Sequence, residues 1–222
     1  MTKKVFVVGS TGRVATELIK DLVKADIDVK AGARHPERVV KNEHVEAVKI
    51  DLHDSVENIA KLMQGMDAVY FVAGSRGRDL LQTDAMGAVK VMQAAEKDGI
   101  KRFIMLSSLY ALEPEKWEEV LSIIPSSETR DEFTNYNIAK FFADTYLVSN
   151  TNLDYTILQP SNLSEEAGTG RISINDQRKS SSNPIADVAQ TLADILNYDN
   201  TIHQVILMSS GDEPIDEALA SI

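Results

Sequence analysis

Gly9, Gly12 and Ala15 fall three residues apart, directly after the apolar run Val5-Phe6-Val7-Val8 and at the start of a stretch with helical periodicity. This combination restricts the fold more than any other feature of the chain. An apolar run without polar alternation reads as a strand buried on both faces. A glycine at its end permits a tight turn, and a second removes the Cβ that would keep a pyrophosphate from the backbone. A small residue at 15 then lets a helix pack close to the sheet. Val14, Leu18 and Leu22, flanked by Ile19 and Val23, place an apolar stripe on residues 14–24. The N-terminus of that helix presents free amides and the positive end of its dipole. The loop therefore reads as the phosphate seat of a dinucleotide-binding strand–turn–helix.

The pattern continues by alternation. Strands are expected at 29–33, 45–50, 67–73, 102–106, 155–158 and 204–208, and helices at 55–63, 80–97, 129–149 and 185–196. Ser55 is placed to cap its helix, and Gly99 to close the one before it. Strands separated by helices imply parallel βαβ units with right-handed crossovers. The expected fold is thus α/β, a doubly wound parallel sheet of the Rossmann type in three layers. Residues 1–222 are expected to make one domain, with a cofactor half over about 1–150 and substrate-covering segments over about 109–130 and 161–184. The second segment, rich in Ser, Gly and Asn, reads as irregular. In the first, Trp117, Leu121, Ile123 and Ile124 interrupt an acidic stretch, as in a lid or a helix docked on the core.

Which dinucleotide is bound depends on the end of the second strand. An acid there accepts from a ribose 2′-hydroxyl, whereas an arginine holds a 2′-phosphate. This chain has Arg34, with no acid before Glu37, and Arg13 in the loop is placed to approach the same phosphate. NADP(H) is therefore expected in preference to NAD(H). Asp51-Leu52, ending the third strand, is placed to bracket the adenine; Asp51 also suits a cap for the following helix. Further on, Tyr136 and Lys140 lie four apart on one helix face, after the Ser107-Ser108 that ends the fifth strand. A lysine beside a phenol stabilises the phenolate and lowers its pKa, preparing the tyrosine for acid–base work next to a hydride transfer.

Together these residues resemble the extended and atypical short-chain dehydrogenase/reductase superfamily, and most closely its small NAD(P)H-binding, NmrA-like members. The likeness covers nearly the whole chain and is most specific over 5–160. Lys101 to Ser108 looks like the family's fifth strand with its terminal serine, and Tyr136 and Lys140 match its Tyr-x-x-x-Lys. The resemblance implies a catalytic set of Ser108, Tyr136 and Lys140. It implies cofactor contacts from Gly9, Thr11, Gly12, Arg13, Val14, Arg34, Asp51, Leu52, Ala73, Gly74, Ser107, Lys140 and Pro160. The family's Arg-Pro-Gly after the sixth strand is here Gln159-Pro160-Ser161, a departure that bears on the local backbone. Asp187 matches the acidic residue before the family's late Val-Ala, and also suits ordinary first-turn charge.

The activity implied is NADP-dependent oxidation or reduction of a small carbonyl or alcohol. An epimerase or dehydratase that retains its cofactor is one alternative, although only about 60 residues follow Pro160 to form a substrate domain. A redox sensor without catalysis is another. The net charge of −11 argues against nucleic acid and anionic membranes as partners. No apolar run approaches the roughly 20 residues of a membrane span, and Val5 to Val8 is short of a secretory core of about 7–15 residues. With no cysteine in the chain, thiol chemistry is absent and no metal site is expected. A cytoplasmic monomer or homodimer acting on a small molecule is the expectation.

Overall fold

The computed structural model describes residues 2–122, 126–175 and 182–222. The first apolar run forms β1 (Lys4–Val8), and its side chains divide between two cores. Val5 and Val7 join Leu18, Ile19 and Leu22 of α1 (Arg13–Lys24) on one face. Phe6 and Val8 join Ile59 and Met63 of α2 (Val56–Met63) on the other. Alternation across a strand buried on both sides gives three layers, with the sheet in the middle.

From β1 the chain moves outward through β2 (Asp28–Ala33) to β3 (Val45–Lys49). It then returns to the opposite flank of β1 as β4 (Ala68–Phe71) and continues through β5 (Arg102–Leu106) to β6 (Asp154–Pro160). All these pairings are parallel. The order therefore reverses between β1 and β4, and the crevice of a doubly wound sheet opens at the carboxyl ends of these two strands. Helices α3 (Met86–Lys97) and α5 (Ser127–Asn150) cover the same face as α2. Helices α6 (Ile185–Ile195) and α7 (Ile215–Ala220) lie with α1. The fold is the Rossmann-type doubly wound α/β architecture expected from the sequence.

Several boundaries differ from the sequence reading. The strand expected over 67–73 is the shorter β4, because the chain turns at Val72 and Ala73 towards the crevice. The helix expected over 80–97 begins as a π-helical turn, Leu80–Ala85, whose widened path carries Asp84 into the interior. Residues 109–130 contain a short helix, α4 (Trp117–Leu121), whose Trp117 ring meets Phe141 of α5 edge-on at 6.3 Å. Ile123 and Ile124 lie outside the described residues.

The described residues of 161–184, a stretch read as irregular, hold three strands: β7 (Asn162–Ser164), β8 (Arg171–Ile174) and β9 (Ser182–Pro184). β7 pairs with β9 in a separate two-stranded sheet. β8 joins the main sheet antiparallel to β10 (Gln204–Ser210) and receives β11 (Glu213–Pro214) on its outer side. The main sheet then runs β11-β8-β10-β6-β5-β4-β1-β2-β3. β7 and β9 are too short, and too rich in Ser, Asn and Pro, to show a period of two, and β8 alternates over only the four residues Arg-Ile-Ser-Ile. No helix among the described residues is long and apolar enough to cross a membrane.

Candidate active site

The glycine loop is fixed sterically. Gly9 has φ of 90°, and a Cβ on it would lie 2.5 Å from Ala73 Cα, so the turns after β1 and β4 pack backbone to backbone. The amides of Gly9 and Ser10 both donate to the Gly32 carbonyl, and the Ser10 hydroxyl donates to the Val7 carbonyl at 2.7 Å. Gly12 then opens α1 with no side-chain cap. The amides of the first helical turn are thus left to a ligand at the crevice, which suits a dinucleotide pyrophosphate. Ala15 is fully buried, as close packing of helix on sheet requires.

A Cβ on Gly74 would meet only Asp84 Oδ1, at an ordinary 3.5 Å.

Beyond the loop lies a cavity of about 520 Å³. It is lined by Gly12, Arg13 and Val14, by Ala73 and Gly74, by Ser107, Ser108, Tyr136 and Lys140, and by Pro160 and Ser161. Ends of β4, β5 and β6, the start of α1 and one face of α5 meet there. Ser161 needs no left-handed backbone, and its hydroxyl accepts from Asn183 Nδ2 at 2.6 Å, so the departure from glycine is accommodated.

The two serines are not equivalent. The Ser107 hydroxyl donates to Asp144 Oδ2 at 2.6 Å in the interior, whereas Ser108 follows it at the cavity wall. Lys140 is 2% exposed, and its Nζ donates to the Leu106 carbonyl at 3.3 Å. That ammonium lies 5.6 Å from the centre of the Tyr136 ring. Even so, the phenol is pushed above its ordinary pKa. Burial dominates, Lys140 opposes it, and Asp84 and Asp144 reinforce it. The sequence expectation of a lowered tyrosine is corrected here: loss of water around the phenolate outweighs one cation.

Three buried polar residues that the sequence reading overlooked surround this pair. Asp144, one turn beyond Lys140, is pushed up to about 6 by burial, against hydrogen bonds from Ser107 and Gln159 and the charge of Lys140. Asp84 accepts from the Ser75 amide at 3.0 Å with one oxygen and, among the described residues, has no partner for the other. Both amide atoms of Asn137 are buried without a hydrogen bond to the described residues. Within a helix such residues read as solvated surface, and only the packing reveals them. Arg76 and Tyr110 were also missed. Both line the cavity in left-handed backbone conformations, which no local motif announces.

Other expected contacts lie elsewhere. Arg34 is exposed at the end of β2 and contributes to holding the Asp79 carboxyl below its usual range, after hydrogen bonds from Thr83 and His53. Asp51 caps a turn, accepting from the His53 amide at 2.9 Å, while Ser55 caps α2 through the Asn58 amide. The helix-cap reading of Asp51 is thereby corrected. Leu52 is buried against Gly87. These three residues, with Gly9 and Thr11, lie outside the lining of the large cavity. Thr11 instead borders a smaller recess of about 420 Å³ with Arg13 and Glu165. Arg13 itself pairs with Glu165 at 2.6 Å. Asp187 is more than first-turn charge: its carboxylate accepts from the amides of Thr169 and Gly170 and from the Thr169 hydroxyl, clamping the turn before β8.

Comparison with known proteins agrees with this fold. Residues 9–199 match the family described as NAD(P)H-binding. The chain is 35% identical to the uncharacterized sugar epimerase YhfK of Bacillus subtilis, covering 99% of this chain and 100% of that protein. The crystal structure of the oxidoreductase ylbE from Lactococcus lactis superposes with a TM-score of 0.91 at 48% identity, covering 99% of this chain and 96% of the other. A short-chain dehydrogenase/reductase from Veillonella parvula in complex with NADP has a TM-score of 0.74 at 18% identity, over 96% and 99% of the two chains, a likeness of fold.

Proposed function

The chain belongs to the NAD(P)H-binding family, with a Rossmann fold, and from that premise we propose an NADP-dependent oxidoreductase that reduces a small carbonyl compound. One observation carries the reading: the same cavity is lined by the uncapped start of α1 and by Ser108, Tyr136 and Lys140. The phosphate seat and an acid–base group thus face one volume, within the size range of small-molecule sites.

The first amides of α1 bind the pyrophosphate, and Arg34, exposed at the end of β2, receives the 2′-phosphate. When bound, the reduced nicotinamide supplies a hydride to the carbonyl carbon. Ser108 donates to the substrate oxygen and orients it. Tyr136, kept protonated by its buried surroundings, delivers the proton that completes the alcohol. Lys140 holds the ribose hydroxyls and favours the phenolate left behind. The raised phenol suits reduction better than oxidation at neutral pH, because oxidation needs the phenolate as base. The described parts of residues 109–130 and 161–184 cover the substrate, while the cofactor rests mainly on residues 1–150.

Tyr136→Phe is expected to lower the turnover number about 10³-fold while leaving the NADPH dissociation constant within about twofold. Unchanged turnover removes the acid–base role. Fluorescence titration with both cofactors tests the choice of NADPH, and tighter binding of NADH ends it. The sugar-epimerase name of the Bacillus subtilis relative, matched over its full length, favours a second reading with no net redox change. Stoichiometric loss of nicotinamide absorbance during turnover supports reduction; turnover without such loss supports epimerisation.

A further inference from the structure

The charge of the cavity is opposite to that of the molecule. The chain carries a net charge of −11, yet among the described residues the cavity is lined by Arg13, Arg76 and Lys140 and by no carboxylate. Arg13 is engaged by Glu165 and Lys140 by the Leu106 carbonyl, and both serve the cofactor in the reading above. Arg76 is different: it has no hydrogen bond or ion pair with the described residues. Its backbone is left-handed, at φ of 55°, a conformation that costs a non-glycine residue energy and concentrates at functional sites.

The wall of the cavity is equally specific. Tyr110 is also left-handed, at φ of 57°, and is 5% exposed. Trp117 Nε1 donates to its carbonyl at 2.8 Å, and Lys116 Nζ sits 4.8 Å over its ring. Tyr110 is thereby held by Lys116 over its ring and by Trp117 of α4 on its backbone, and Phe133 and Leu163 add apolar surface to the same cavity. A molecule beside Tyr136 meets an aromatic wall and one free guanidinium. Arg76 is exposed at the rim of that cavity, where its planar fork can pair with an oxyanion as a ligand enters.

We infer that the substrate is a carbonyl compound with a flat apolar body and an anionic group that pairs with Arg76. This rests on the reading of Tyr136 as proton donor in a cofactor-loaded site.

The test is calorimetric titration of the NADP⁺-loaded protein with benzoate and with benzamide, its neutral isostere. Benzoate is expected to bind about tenfold more tightly, the gain of one charge-assisted pair. Arg76→Ala should remove that difference and Arg76→Lys should retain part of it, with NADP⁺ affinity unchanged in both variants. Equal binding of the two probes, no binding of benzoate, or weakened NADP⁺ affinity in Arg76→Ala overturns the inference, the last by assigning Arg76 to the cofactor. Failure of NADP⁺ to bind the unsubstituted chain ends the cofactor reading and this inference together. NADP⁺ binding without benzoate selectivity ends the inference alone.

Discussion

The two ends of the crevice are built from different material. Around Gly9 the geometry is set by backbone: a left-handed glycine, two amides sharing the Gly32 carbonyl, and a contact with Ala73 too close for any Cβ. Around Tyr136 it is set by side chains, with Lys140 and Asp144 buried in α5 and polar atoms of Asp84 and Asn137 left without partners. A backbone cradle can be broken only by steric intrusion, and it responds little to pH. A cluster of buried ionisable groups is a balance of desolvation against pair interactions, so each exchange of a charge shifts its neighbours. The chain thus joins a rigid anion seat to an electrostatically adjustable chemical end.

The sharpest way to break the comparison is at the steric end. Gly9→Val adds a Cβ against the Ala73 backbone in a left-handed conformation. The expected cost is about 3–5 kcal/mol, or about 10 °C in Tm for a chain of this size, with loss of NADPH binding. Calorimetric melting and cofactor titration measure both. If the substitution leaves both unchanged, the cradle is not rigid and the contrast fails.

At the adjustable end the prediction concerns pH. Asp144 is raised to about 6 in the folded chain, against about 3.9 for an unfolded aspartate. Between those values the folded chain holds a proton that the unfolded chain has released. Stability from this group therefore falls as pH rises through the window, and stays lowered above it. Asp144→Asn removes the titration. It should stabilise the protein by about 2–3 kcal/mol at neutral pH, with the advantage vanishing below about pH 4. Melting curves of the two proteins across that range give the difference, and a constant offset at every pH overturns the argument.

The smallest effect is expected far from both, at the adenine side. Arg34→Ala should weaken NADPH binding about tenfold, or 1.4 kcal/mol, and leave NADH unchanged. Equal weakening of both cofactors would show that the guanidinium does not read the 2′-phosphate.

The same contrast explains what could be read from the sequence. Val5 to Val8 and the glycines announce themselves because a strand buried on both faces, and a turn without Cβ atoms, leave local signatures. Tyr136 and Lys140 were legible from their spacing and from Ser107-Ser108 at the preceding strand end. Asp84, Asn137 and Asp144 were not, since a polar residue in a helix looks the same in sequence whether it faces water or the core. β7 and β9 escaped notice because three residues cannot display alternation, and β8, Arg-Ile-Ser-Ile, alternates over only four residues inside a Ser- and Gly-rich stretch. Arg76 and Tyr110 are marked only by backbone torsions. The family pattern points to Ser108 rather than Ser107, and the Ser107 hydroxyl is already engaged by Asp144.

The π-helical turn Leu80–Ala85 has a consequence for how the chain tolerates changes of length. A turn of this kind contains a surplus residue relative to regular helix, and each helical residue advances the direction of its side chain by about 100°. Removing one residue would let the segment rewind as ordinary α-helix and swing Asp84 from the Ser75 amide towards solvent. The exposed Gly77 and Arg78, beyond Arg76, are freer to gain or lose residues. The few positions that follow it are counted: their number, as much as their identity, keeps the helix in phase with the crevice.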